Sequence, residues 1–90
     1  MRNRWRFDCV YWTEVELSEF ANSLRSGDDV LCCVETKSPL GTERRDEILR
    51  RALRPIVRRP ELDVNLVPQG GVEQCVAFHK VLNDLKAEAR

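Results

Sequence analysis

The run Val30-Leu31-Cys32-Cys33-Val34 narrows the choice of fold more than any other segment of this chain. Five consecutive apolar side chains suit a strand covered on both faces, and such strands belong to parallel sheets whose connections carry helices. The run gives way to Glu35-Thr36-Lys37-Ser38-Pro39, a turn-forming stretch. It is expected at the centre of the sheet.

The segments around it supply neighbours for such a strand. Residues 4–12 alternate, with Trp5, Phe7, Cys9 and Tyr11 on one side and Arg6, Asp8, Val10 and Trp12 on the other. This predicts a first strand with one strongly buried face. Thr13 and Glu16 have capping-box spacing, and Leu17, Phe20, Ala21 and Leu24 follow at helical intervals up to Gly27, a residue suited to a helix C-terminus. Thr42 can cap a second helix with Ile48, Leu49, Ala52, Leu53, Ile56 and Val57 as its apolar stripe. Pro55 should bend or interrupt that helix. Leu62, Val64 and Leu66 alternate with Asp63, Asn65 and Val67 in a third, more exposed strand that Pro68-Gln69-Gly70-Gly71 should end. From Val72 a third helix is expected to bury Cys75, Val76, His79, Leu82 and Leu85 and to fray over residues 86–90.

These elements predict an α/β fold: a small, three-stranded, mostly parallel sheet in βαβαβα order, with the helices packed mainly on one face. Each βαβ crossover is right-handed, so a strand order of 1-2-3 puts both crossover helices on the same side. The other side would then be bare and carry Val10, Trp12, Val67 and one of Cys32 or Cys33. The alternative order, 2-1-3, distributes helices over both sides.

Ninety residues suffice for one hydrophobic core, so residues 1–90 are read as a single α/β domain. A chain of this size buries only roughly 60–65% of its unfolded surface, which makes a second copy or a partner on an apolar face a natural supplement. An apolar share of 42% and a charged share of 33%, with fifteen basic and fifteen acidic residues, are globular values. No run approaches the ~20 apolar residues of a membrane span, and Phe7-Asp8-Cys9-Val10 is too short and polar for a signal-peptide core, so a cytoplasmic location is expected. Cys9, Cys32, Cys33 and Cys75 lie in apolar segments, as free thiols do, and not in loops as a disulfide framework does.

The residues that could carry chemistry are few. Residues 42–60 hold seven arginines against Glu43, Asp46 and Glu47, in a chain of zero net charge. Arg44, Arg50, Arg51, Arg54 and Arg58 project from the side opposite the apolar stripe, a face that could meet phosphates or an acidic protein surface. The same arginines could instead be solvated and paired within the helix as Asp46–Arg50 and Glu47–Arg51. Gly41 and Gly70-Gly71 stand where helix N-termini could offer N–H groups to an anion, although neither loop has a phosphate-binding fingerprint. Glu35-x-Lys37, with Asp8, has the residue types of a metal-dependent phosphodiesterase, but the helix and hairpin such a site requires do not precede it. Cys75 and His79 have a metal-ligand spacing without any Cys-x-x-Cys pair to complete it, and no Ser or thiol stands beside His79 for it to activate.

No convergent catalytic set, metal site or cofactor site emerges. The leading expectation is a non-enzymatic regulatory or inhibitory module acting by protein–protein contact, as a homodimer or with another protein, through Val10, Trp12, Arg44, Arg50, Arg51, Arg54 and Arg58. The alternative is nucleic-acid or nucleotide binding through the arginine-rich helix 42–59. A metal-dependent phosphodiesterase is the third reading. No membrane contact is expected.

Overall fold

The computed structural model describes residues 3–89. Met1 and Arg2, and Arg90 at the expected frayed end, lie outside the described residues. The observed order is β1 (Arg4–Asp8), α1 (Glu14–Ser23), β2 (Asp29–Cys33), α2 (Thr42–Val57), β3 (Asn65–Gln69) and α3 (Val72–Glu88). Both strand pairs are parallel and the sheet order is β1-β2-β3, so β2 is central and the 2-1-3 arrangement does not occur. Right-handed crossovers then put α1 and α2 on one side, where α2 touches both α1 and α3.

One face of the sheet makes the core. Phe7, Cys9, Val30, Cys32 and Val34 are buried against Leu17 and Phe20 of α1, Leu49 and Leu53 of α2, and Phe78 and Val81 of α3. Phe7 stacks on Phe20 at a ring-centroid distance of 4.8 Å. Among the described residues no helix lies on the opposite face. β2 is therefore central but covered on one side only, contrary to the two-sided burial its composition suggests, because the 1-2-3 strand order with right-handed crossovers sends both crossover helices to the same face.

Several boundaries move for local reasons. β1 stops at Asp8 rather than at residue 12, since the Asp8 carboxylate accepts the Val10 and Tyr11 N–H groups at 2.8 and 2.9 Å and turns the chain. Trp12 consequently leaves the strand and packs edge-on against Phe7 and Phe20, beneath the helix side. α1 has the expected capping box, with Thr13 and Glu16 each accepting the other's backbone N–H, but ends at Leu24. Gly27 lies beyond that cap, at φ 95°, where its N–H reaches Asp63 O at 2.7 Å. Gly41, not Thr42, is the N-cap of α2, and Pro55 sits within the helix, which ends two residues later. β3 continues through Pro68 to Gln69: an edge strand tolerates a residue whose missing donor faces outward.

α3 is rotated from its expected phase. Its buried positions are Ala77, Phe78, Val81, Leu82 and Leu85, while Val76 and His79 face outward. Phe78 has the largest apolar surface to bury, and its i+3, i+4 and i+7 neighbours follow it inward.

Buried Asp28, 5% exposed, holds the sheet's first strand to the loop before β2. One of its oxygens accepts both Trp5 Nε1 and the Arg25 backbone N–H, each at 3.0 Å.

Candidate functional site

Alternation along three parallel strands sorts the open face into rows. Arg6, Leu31 and Val67 form the middle row; Arg4, Asp29 and Asn65 lie on one side, Asp8, Cys33 and Gln69 on the other. Leu31 and Val67 floor a shallow depression of about 470 Å3 rimmed by Arg4, Arg6, Asp29 and Asn65. Asn65 Nδ2 donates to Asp29 Oδ1 at 3.3 Å, which ties β3 to β2. The Cys33 thiol lies 3.9 Å from Gln69 Oε1, and Arg6 reaches no nearer acceptor than Cys33 Sγ at 4.0 Å. Neither Arg4 nor Arg6 has a carboxylate within ion-pair distance among the described residues.

Two of the residues expected on this face are elsewhere. Val10 belongs to the turn after β1 and Trp12 to the aromatic cluster, so the bare surface is built on Arg4, Arg6, Leu31 and Val67, with Cys33 and not Cys32 turned outward. The signal for Arg4 and Leu31 was the strand alternation itself; it placed them once the strand order was known.

The arginines of α2 divide into two groups. Arg50 bridges to α3, at 3.5 Å from Asp84 and 3.0 Å from Glu88. Arg51 Nη2 donates to the carbonyls of Val10 and Trp12 at 3.4 and 3.0 Å, and its Nε is buried without a partner. Arg59, just past the helix, donates through Nη1 to Ala21 O and Leu24 O at 2.6 and 3.0 Å, and so supplies the positive charge that the last turn of α1 lacks. These three hold the fold together. Arg44 pairs loosely with Glu47 at 3.5 Å. Arg54 and Arg58 are exposed, with no side-chain partner among the described residues, beside a groove of about 200 Å3 that also contains Glu14. The intrahelical pairs Asp46–Arg50 and Glu47–Arg51 are replaced by Asp46 with Arg45 and Lys80, and Glu47 with Arg44.

At the carboxyl edge of the sheet the polar residues are engaged in structure. Glu35 Oε1 accepts the Gly71 N–H at 2.6 Å, so an acid of the chain itself already sits at the N-terminus of α3. Gly70 is needed there, because a Cβ would come within 2.8 Å of Val34 Cγ2. The Lys37 backbone N–H donates to Tyr11 Oη at 2.7 Å and its ammonium lies 5.5 Å from the centre of that ring. Asp8 is committed to its turn. Asp8, Glu35 and Lys37 thus have separate local roles, and among the described residues no group of three or more His, Cys, Asp or Glu side chains could hold a metal ion.

The cysteines divide by exposure. Cys9 and Cys32 are fully buried. A hydrogen bond with the Cys32 thiol, together with burial, holds the Cys9 thiol well above the ordinary thiol range, so it stays protonated. Cys75 Sγ rests near Pro68 O and Gly70 O at 3.9 and 3.6 Å, and His79 is exposed beside Phe78.

Fold and surface together define a two-layer α/β protein, one layer of three helices and one sheet open on its far side. Comparison with known proteins finds no matching family model, no similar curated protein and no similar solved structure. Among the described residues no helix is long and apolar enough to cross a membrane.

Proposed function

We propose that this protein is a small non-enzymatic regulatory or inhibitory module of the cytoplasm, acting by contact with another protein through the open face of its sheet. The observation that carries this reading is the position of all three helices on one side of an all-parallel sheet. Such sheets are ordinarily covered on both faces. A partner would supply cover for the row Arg6, Leu31, Val67.

The size of the face argues for a different protein and against a second copy stacked on it. Three strands of five residues, at ~4.8 Å spacing and ~3.3 Å rise, span roughly 240 Å2. A stable interface takes about 800 Å2 from each partner. The partner must therefore reach past the face onto its rim, and the isolated chain is expected to be monomeric at micromolar concentration.

Nucleic-acid binding through α2 is less well supported than it is by sequence. Arg45, Arg50, Arg51 and Arg59 are held by contacts within the fold, which leaves Arg54 and Arg58, with Arg44, on a surface interrupted by Glu14 and Glu47. A phosphate track needs a longer uninterrupted positive path than this. The three remaining arginines suit an acidic protein surface, where rim charges act mainly on the association rate.

Site-specific photocrosslinking tests the reading. A photoreactive side chain at Val67, on the open face, should give one adduct of defined mass in extract of the native host, and Leu31→Asp should remove it. The same group at Val76, on the exposed side of α3, should give none. Equal adducts from both positions, or none from Val67, would overturn the reading, and a dimer seen by sedimentation would replace it with self-association.

A further inference from the structure

We propose that the outer edge of β1 is a strand-addition site for an extended segment of a partner protein that carries acidic side chains at two alternate positions. The proposal rests on the protein-contact reading above and names the kind of partner that reading lacks. Its first support is the hydrogen-bond parity of the sheet. Asn3 O accepts Asp29 N–H and Cys9 N–H donates to Cys33 O, so the odd-numbered residues of β1 turn their backbone groups towards β2. The N–H and C=O groups of Arg4, Arg6 and Asp8 consequently point outward along the edge. Three outward residues in succession, none of them proline, form a complete ladder for one more strand.

The opposite edge is closed. Asn65 N–H donates to Asp28 O and Gln69 O accepts Val34 N–H, so the outward residues of β3 are Leu66 and Pro68. Pro68 has no N–H to give, and the ladder breaks in the middle of the strand. The two edges of one small sheet thus differ: the ladder of β3 is broken by a proline, whereas that of β1 is unbroken and guarded only by its short length and charged side chains.

Side chains on the open edge set the chemistry of the occupant. Arg4 and Arg6 stand two residues apart on the open face with no carboxylate within ion-pair distance among the described residues, so an added strand is favoured by Asp or Glu directly across from them. Across from Asp8 the strand should not be acidic. Between the two acids an apolar residue is favoured, because it points to the helix side and meets Trp5, which is half-buried at this edge with its ring edge-on to Phe20. The recognised pattern is acid, apolar, acid.

A second copy of the chain fits less well. Antiparallel pairing of two β1 edges in the register that uses all three outward residues sets Arg4 opposite Asp8 at both ends but Arg6 opposite Arg6 between them, and the next register sets Arg4 opposite Arg6 twice, whereas an acid–apolar–acid segment meets both arginines with carboxylates; like charges directly opposite are destabilising. The third register pairs Arg6 with Asp8 but places Arg4 beyond the partner's strand, opposite the turn at Val10.

The test uses residue-resolved amide exchange on the full chain with two synthetic peptides of equal length, one alternating glutamate with valine and the other lysine with valine. The glutamate peptide should slow exchange at Arg4, Arg6 and Asp8 by at least about tenfold, as hydrogen bonding of an open edge does, and leave Leu66 unchanged. The lysine peptide should have no effect. Arg4→Glu combined with Arg6→Glu should invert that preference. Arg6→Pro, which removes an N–H that bonds nothing within the fold, should abolish the protection. Protection at Leu66, equal protection by both peptides, or none at all would overturn the proposal. Protection that appears without peptide and grows with protein concentration would overturn it in favour of a second copy. If the peptides fail while the Val67 adduct persists, the edge is excluded and the protein-contact reading stands.

Discussion

Along β2, Val30 and Cys32 are sealed beneath the helices while Leu31 and Cys33, their immediate neighbours, remain partly exposed. The same contrast runs across the sheet, with Phe7 buried and Arg6 free, or Leu66 against the core and Val67 at 43% exposure. Strand sequence supplies both faces at once, and only the connections decide which face is covered. The apolar composition of β2 is shared almost equally between its two sides, yet its contribution to stability comes mainly from one. The other side holds apolar surface that packing among the described residues does not use, and the proposed partner contact draws on that separation of roles.

Substitutions on the two faces should therefore differ by an order of magnitude. Phe7→Ala deletes a ring enclosed by Phe20 and Trp12 and is expected to cost about 3–5 kcal/mol, a large part of the stability of a domain this small. Urea unfolding monitored by tryptophan fluorescence would measure it; a loss under about 1 kcal/mol would mean that the covered face is not the core. Asp28→Ala comes next, because it leaves Trp5 Nε1 and the Arg25 N–H without their acceptor, at about 1–3 kcal/mol. Asp28→Asn, which retains an acceptor oxygen, should recover part of that loss. Val67→Thr on the open face should change stability by no more than about 0.5 kcal/mol in dilute protein. A loss above about 1.5 kcal/mol would show that Val67 is already covered in the isolated protein, and the distinction between the faces would fail.

The element order and the central place of β2 were legible in the sequence because an unbroken apolar run and helical stripes are local patterns. The phase of α2 is legible for the same reason: Leu49, Ala52, Leu53 and Ile56 form one stripe. α3 misled because Cys75, Val76 and His79 also fall on a helical repeat, and only packing against α2 reveals that Phe78 takes the inside. Asp28 could not be recognised, since its two donors are Trp5, distant in sequence, and a backbone N–H. The arginines pointed to a functional helix, but the partners that occupy Arg50, Arg51 and Arg59 come from α3, the β1–α1 turn and the end of α1, and no spacing rule identifies them. Strand alternation puts Val10 and Trp12 on the open face, but one short-range event takes them off it: the Asp8 side chain bonds the turn that ends β1.

A sheet with only parallel neighbours cannot begin from a hairpin. Phe7 must wait for Cys32, and Val30 for Leu66, with a whole helix intervening each time. Such non-local closure makes folding slower than that of a helical bundle of the same length. During synthesis β2 emerges with its second neighbour, Asn65–Gln69, still to be made, so the most apolar strand of the protein spends that interval with one side unpaired. Growth of the chain past β3 ends this exposure. Until then, Val30–Val34 is the segment most open to association with other unfinished chains.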